Sequence, residues 1–252
     1  MSETPTACIL IIGDEILSGR TQDTNIKYMA TRLAQLGIKL KEARVVPDQS
    51  DAIVAALNFY RVLYTYVFTT GGIGPTHDDI TTACVARAFG RKVIRHPDAE
   101  RKLRAFYKDK GDVNEARLKM AETPDGEGVT LIDNLVTSAP GYRIENVFVM
   151  AGVPSIAQAM FEAAVPLLRK GDPVYSGSVD GEVREGDIAA DLTALQEKYP
   201  GVSLGSYPSV RNNKLCTSIV ARATDKAVIA QVLGEAADMM RRFGAEPAVT
   251  TP

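Results

Sequence analysis

The chain has 252 residues, 45% of them hydrophobic, and a formal net charge of −2 with both signs dispersed. That is enough apolar material for one large or two small domains, and it leaves no electrostatic footprint for nucleic acid. No apolar run approaches the ~20 residues that span a bilayer, and the first five residues lack the basic region of a signal peptide.

Residues 6–12 are a continuous apolar run, as in a strand covered on both faces. Residues 25–36 read as a helix with Ile26, Met29, Leu33 and Leu36 on one stripe and Gly37 as its stop. A strand over 39–46 ends at Pro47, and a second amphipathic helix over 50–63 carries Ile53, Val54, Leu57 and Leu63. Strand 66–70, a glycine-rich loop and helix 80–89 complete a further unit, stopped by Gly90. This alternation predicts an α/β fold, a parallel or mixed sheet with helices on both faces.

A short strand over 92–95 leads to His96, a structural residue at a helix start, and to Pro97, which suits the first turn of a charged helix to 110 with Gly111 after it. A short helix covers 114–121. Strands 129–132 and 144–150 are separated by a loop containing Asn134, Ala139, Pro140 and Gly141. Ser155 with Gln158 has the spacing of a capping box for a helix to about 168, kinked or ended at Pro166. The rhythm changes after Gly171-Asp172-Pro173 to strand 174–179, helix 187–199, strands 202–206 and 215–223, and helix 225–243, with fraying after Gly244. Domains are therefore expected at 1–170 (α/β) and 171–252, the latter a small α+β layer of split-βαβ type. Cys8, Cys84 and Cys216 stand far apart in apolar surroundings, which predicts buried free thiols in a reducing, cytoplasmic compartment.

Open α/β sheets bind ligands at the carboxyl ends of their strands. Three predicted strand ends carry glycine with acidic or small polar residues. They are Gly13-Asp14-Glu15, with Asn25 beyond; Gly71-Gly72-Ile73-Gly74-Pro75-Thr76-His77-Asp78-Asp79; and Gly152-Val153-Pro154-Ser155. Bare glycine main chain admits a bulky anion, and Mg²⁺ takes one or two carboxylates plus substrate phosphates. Glu15, Asp78 and Asp79 are the expected metal ligands, with Asp79 and Asp78 as the catalytic pair. Each has a plainer reading: Asp78 or Asp79 as the cap of helix 80–89, Asp14 and Glu15 as solvated first-turn acids, Asn25 as another cap. His77 and Arg20 read as surface residues. No Ser-His-Asp set, Cys-His pair or Walker lysine is present.

The phrase Thr70-Gly71-Gly72-Ile73-Gly74-Pro75-Thr76 with Asp78-Asp79 resembles the MoaB/Mog molybdopterin-binding domains. Together with Gly13-Asp14-Glu15-Ile16-Leu17, Asn25, Asn134 through Ala139-Pro140-Gly141 and Gly152-Val153-Pro154-Ser155, it resembles most the N-terminal part of the competence/damage-inducible protein A (CinA) family. Gly205-Ser206-Tyr207-Pro208 is similar to a phrase of CinA-like proteins and of eukaryotic FAD synthases. The resemblance implies that these segments bind substrate, and that the chain is a divalent-metal pyrophosphatase of the ADP-ribose or FAD class, with Mg²⁺, Mn²⁺ or Co²⁺. It leaves open molybdopterin binding or adenylyl transfer in molybdenum-cofactor synthesis, and a non-catalytic nucleotide-binding module. It also implies a homo-oligomer, a dimer or trimer. Leu135 and Thr137 replace a proline and a glycine usual in CinA-like proteins, and Ala151 replaces a proline. The deamidase activity of longer CinA proteins is expected to be absent.

Overall fold

A computed structural model describes residues 4–108, 111, 113–211 and 213–252. The chain divides into two compact units: one holds the residues up to Gly171 apart from Ala34–Leu36, which group with Asp172–Pro252 in the other.

The first unit opens with β1 (Thr6–Ile12), a short α1 (Asp14–Leu17), α2 (Asn25–Gln35), β2 (Lys39–Val46), α3 (Ser50–Leu63), β3 (Tyr66–Thr70) and α4 (Thr81–Ala88). It continues through β4 (Val93–Arg95), α5 (Pro97–Tyr107), α6 (Glu115–Lys119), β5 (Glu122–Pro124), β6 (Val129–Ile132), β7 (Gly141–Ile144), β8 (Val147–Met150) and α7 (Pro154–Ala164). Six strands form one sheet in the order β2-β1-β3-β8-β7-β6, the first four parallel and the last two antiparallel. Strand β1 is an unbroken apolar run because it is flanked by strands and covered by helices. On one face Cys8, Leu10 and Ile12 pack with Ile53, Leu57 and Tyr60 of α3 and Cys84 and Val85 of α4. On the other, Phe68 lies 5.1 Å from Phe148 and 5.2 Å from Phe161 of α7, and Tyr28 of α2 meets Phe161 edge-on. The expected α/β architecture is present.

Several local expectations are corrected. Residues 144–150 are not one strand: a turn with Glu145 at φ 50° folds them into the β7–β8 hairpin. The Asn146 amide holds that turn by donating to the Arg61 and Tyr64 carbonyls at the end of α3. Ser155 and Gln158 form no capping box; Val153 is the cap residue, with no side-chain cap bond, and Pro154 opens α7. A 3₁₀ turn, Val165–Leu167, follows around Pro166. Helix α5 ends at Tyr107, and its expected last turn, 109–110, lies outside the described residues. His96 caps α5 by accepting the Asp98 N–H through Nδ1 at 3.2 Å.

The second unit comprises β9 (Tyr175–Gly181), α8 (Glu185–Lys198), β10 (Ser203–Arg211), β11 (Lys214–Ala223), α9 (Lys226–Arg242) and β12 (Ala248–Thr250). Its sheet order is β10-β11-β9-β12, with every pair antiparallel. Strands β9 and β10, linked by α8, therefore run parallel on either side of β11, the split-βαβ arrangement. Its core joins Val179, Ile219 and Ala221 to Ile188 of α8 and Ile229, Leu233 and Met240 of α9. The end of the chain is not frayed: β12 pairs with β9, Val249 opposite Val179, a register that only tertiary structure supplies.

Among the described residues no helix is long and apolar enough to cross a membrane. The three cysteines are free and buried, and burial pushes the Cys8 thiol up to about 12.

Candidate functional site

Parallel strands deliver their carboxyl ends to one edge, so the loops after β1, β2, β3 and β8 gather there. The antiparallel pair adds the end of β6 and the start of β7, with Ile132 opposite Gly141. The loops touch closely. The Gly71 N–H donates to the Met150 carbonyl at 3.1 Å. Gly71 has φ 102°, and a Cβ there would run into the Ile12 carbonyl oxygen, so neither the conformation nor the space admits a side chain. A Cβ on Gly152 would come 3.3 Å from Gly71 Cα. Thr81, buried at the start of α4, fastens the turn: its hydroxyl donates to the Gly71 carbonyl at 2.9 Å and its N–H to the Gly72 carbonyl at 2.9 Å. The Gly13, Gly71 and Gly152 loops thus share one sheet edge.

A cavity of about 610 Å³ opens at this edge. Of the residues singled out in sequence, Glu15, Gly71, Gly72, Gly74, Pro75, Asp79, Asn134, Ala139, Pro140, Gly152, Val153 and Pro154 line it. Thr137 and Ala151, two of the departures from the CinA-like pattern, line it as well, and the other expected site residues stand outside its lining. Gly13 donates its N–H to the Val46 carbonyl and sits beneath Glu15, whose carboxylate fills the space a Cβ would take. Asn25 is buried and donates to the Gly152 carbonyl at 2.9 Å, tying α2 to the loop after β8. Gly141 begins β7, where a Cβ would meet Val149 O and Met160 Sδ. Ser155 is exposed on α7.

Asp79 is half-buried and does not cap α4. The cap residue there is Ile80, with no side-chain cap bond. Asp79 Oδ2 instead accepts the Thr76 N–H at 2.8 Å and the Thr76 hydroxyl at 2.5 Å, closing the glycine loop on itself. Gly74 lies beneath this carboxylate, and a Cβ there would fall 2.6 Å from Asp79 Oδ2. The Thr76 carbonyl accepts from Lys119 Nζ of α6. Asp78 is exposed, and its carboxyl is held below the ordinary range, with Thr76 the chief partner and Lys119 a nearby positive charge. Asp14 and Asp48 exchange bonds across the ends of β1 and β2: the Asp14 N–H donates to Asp48 Oδ2 at 2.9 Å, and the Asp48 N–H to Asp14 Oδ1 at 3.4 Å. Partial burial pushes the Asp48 carboxyl up, and repulsion from Asp14, Asp78 and Asp79 adds to that.

Residues 8–170 match the family described as probable molybdopterin binding domain, and residues 173–246 match the middle domain of FAD synthase. The chain belongs to the molybdopterin-binding domain family. A protein of Aeropyrum pernix is 37% identical over 218 residues, covering 82% of this chain and 81% of its own. A CinA-like protein of Desulfosudis oleivorans is 31% identical over 93% of this chain, which spans 59% of that longer protein. The crystal structure of CinA from Thermoplasma acidophilum, described as of unknown function, superposes with TM-score 0.59 at 30% identity, over 65% of this chain and 97% of its own. The CinA-like resemblance read from the glycine phrases therefore holds.

Other cavity residues carried no signal in sequence. Tyr107 and Met120 reach it from α5 and the end of α6, and Ile156 and Met160 from α7. Asp48, outside the lining but bonded to Asp14, was findable, since it lies just past the end of β2 as Asp14 does past β1. Where CinA-like proteins often carry proline, Ala151 keeps an N–H, which donates to Met160 Sδ at 3.3 Å. Leu135 is 91% exposed, whereas the Thr137 hydroxyl accepts the Asn134 amide at 2.6 Å.

Proposed function

We propose that the chain hydrolyses the diphosphate bond of a nucleotide of the ADP-ribose or FAD class in a divalent-metal-dependent reaction. The observation that carries this reading is that Glu15 and Asp79, from loops after two different strands, line one cavity with the bare main chain of Gly72 and Gly74. Among the described residues no three His, Cys, Asp or Glu side chains cluster to hold an ion alone. Two carboxylates on one cavity fit the sparse protein coordination of Mg²⁺, which keeps waters and substrate phosphates as its other ligands. Glu15 and Asp79 would hold the cation, Mg²⁺ first and Mn²⁺ or Co²⁺ as alternatives, with exposed Asp78 adding negative charge beside them. A bound cation lowers the pKa of water and offsets charge gathering on the phosphate. The residues of this chain position the diphosphate: the loop of Gly72 and Gly74 lines the cavity beside both carboxylates, and the Thr76–Asp79 bonds keep that loop in shape.

The family match favours a second reading, molybdopterin binding or adenylyl transfer to it, at the same cavity. The matched FAD synthase middle domain supports the nucleotide reading. Incubation with ADP-ribose, FAD and molybdopterin, each with Mg²⁺, Mn²⁺ or Co²⁺, separates them by product analysis. Release of AMP from ADP-ribose or FAD supports hydrolysis. Capture of molybdopterin with no dinucleotide turnover supports the second reading, and nucleotide binding without turnover leaves a non-catalytic module. We also propose a cytoplasmic dimer or trimer, a reading supported by the exposed Phe59, Val62 and Leu63 on one face of α3.

A further inference from the structure

Glu15 and Asp79 are the charged side chains of the cavity lining, and a metal-bound diphosphate needs only their part of it. Much of the remainder is apolar, with Ile73, Pro140, Val153, Ile156 and Met160 among its walls beside the polar Thr21, Asn134 and Thr137. One wall is built separately from the sheet. Tyr107, at the end of α5, and Met120, after α6, pack on a small core of Ala99, Leu103, Ala121 and Ala139. The Arg117 guanidinium lies 4.4 Å over the Tyr107 ring. Lys119, next to Met120, holds the Thr76 carbonyl, and Thr76 in turn binds Asp79. The apolar wall is thus mechanically tied to the acidic loop.

We infer that Tyr107 and Met120 form a subsite for the planar heterocycle of the ligand, reading it chiefly by stacking. An aromatic face and a thioether are the side chains that grip a flat π-system regardless of its substituents. The buried amide in this region, Asn134, offers no edge contact. Its Nδ2 donates to Thr137 Oγ1 and the Ala139 carbonyl, and its Oδ1 accepts the N–H groups of Val136 and Thr137. The ligand class is therefore a phosphate joined to an uncharged aromatic ring system, with purine, flavin and pterin accepted alike and ringless sugar phosphates held weakly. This inference rests on the proposed diphosphate chemistry only for where the phosphate lies.

The test is calorimetric binding of AMP, GMP, FMN and ribose 5-phosphate in the presence of Mg²⁺, which requires no turnover. AMP is expected to bind about tenfold or more tightly than ribose 5-phosphate, the scale of stacking one base on an aromatic ring. AMP, GMP and FMN should agree within about threefold, since base-edge hydrogen bonds are what separate one base from another by larger factors. Tyr107→Leu keeps apolar volume on the small core and should erase the preference for AMP while leaving ribose 5-phosphate unchanged; Tyr107→Phe should preserve it. Met120→Ala, a smaller perturbation of the same wall, should weaken AMP selectively. Equal or absent binding of AMP and ribose 5-phosphate, a tenfold preference between AMP and GMP, or an unaltered AMP affinity in folded Tyr107→Leu overturns the subsite. A protein with the ring preference but no dinucleotide hydrolysis refutes the pyrophosphatase reading and leaves the subsite standing. Hydrolysis with no ring preference does the reverse.

Discussion

Replacing Asp79 by Asn separates two roles that the geometry combines in one carboxylate. Oδ2 closes the glycine loop through two bonds from Thr76, at 2.8 and 2.5 Å, while the group also lines the cavity. Asparagine keeps one acceptor oxygen at the same reach but loses the charge. Bonds to a charged acceptor contribute about 1.5–3 kcal/mol and neutral ones about 0.5–1.5 kcal/mol. With Thr76 open to solvent the loss should be about 1 kcal/mol, or ~2–4 °C in Tm for a domain of this size. If the charge holds a cation, turnover of ADP-ribose or FAD should fall at least ~100-fold, about 2.7 kcal/mol of barrier, and added Mg²⁺ should not restore it. Thr76→Val is the matched control. It removes the hydroxyl bond, keeps the backbone N–H and leaves the Asp79 charge in place, so it should cost similar stability but only a few-fold in rate. Thermal melts and steady-state turnover on both variants decide the matter. Equal, modest rate losses in the two would make Asp79 a loop clamp only, and full activity in Asp79→Asn would remove it from the chemistry.

Two glycines of the same loop should respond differently. Gly71→Ala must hold a positive φ and drive a methyl into the Ile12 carbonyl, so it should lose more than about 2 kcal/mol of stability, read in urea melts. Gly74→Ala has no positive φ but pushes on Asp79 from 2.6 Å, so turnover should drop well before Tm does. The Glu162 carboxylate is held below its ordinary range, first by Arg32 at 2.7 and 2.8 Å and also by the Tyr28 hydroxyl. A lowered carboxyl pKa gives stability that is present above the unfolded value of 4.5 and lost as pH falls through the folded one. Glu162→Gln should therefore lower stability at pH 7, by about 1 kcal/mol or less for so exposed a pair, with the difference shrinking as pH falls below 4.5; a gap that does not narrow in acid would refute this. Val62, 81% exposed on α3, should matter to assembly: Val62→Asp is expected to give a smaller particle by light scattering at unchanged Tm, and a monomeric wild type at micromolar concentration would count against the oligomer.

Much of the first unit was legible because its strands are buried on both faces and so read as apolar runs, 7–12 and 66–68 above all. The site edge was legible for a related reason: a chain leaving a parallel strand must turn sharply, and glycines mark where loops meet closely. What failed to show depends on partners distant in sequence. The β7–β8 hairpin needs Glu145 at positive φ and the tethers from Asn146 to the end of α3, neither of which has a local signature. Strand β12 exists because β9 offers an edge about seventy residues earlier, consistent with pairing being a tertiary outcome. Ser155 and Gln158 have capping-box spacing, yet Val153 is the cap residue and Pro154 takes the first helical position, so α7 starts two residues earlier.

The glycines themselves carry a second meaning that composition could not reveal. Read along the chain, Gly13 and Gly74 are openings for an anion to approach the main chain. In the folded unit each also lies directly beneath an acidic side chain, Gly13 under Glu15 and Gly74 under Asp79, in the volume a Cβ would occupy. Gly71 and Gly152 are required for another reason, the contact between the loops after β3 and β8. A single residue type thus does two jobs at one edge, bringing the loops together and then seating the carboxylates between them. Two acids drawn from strands adjacent in space but far apart in sequence repel each other unless a cation or a proton lies near. Asp79 also closes its own loop through Thr76, so the reading of Glu15 and Asp79 as ligands of something that binds there rests on their place in one cavity, two carboxylates from loops after adjacent strands where a cation takes few protein ligands.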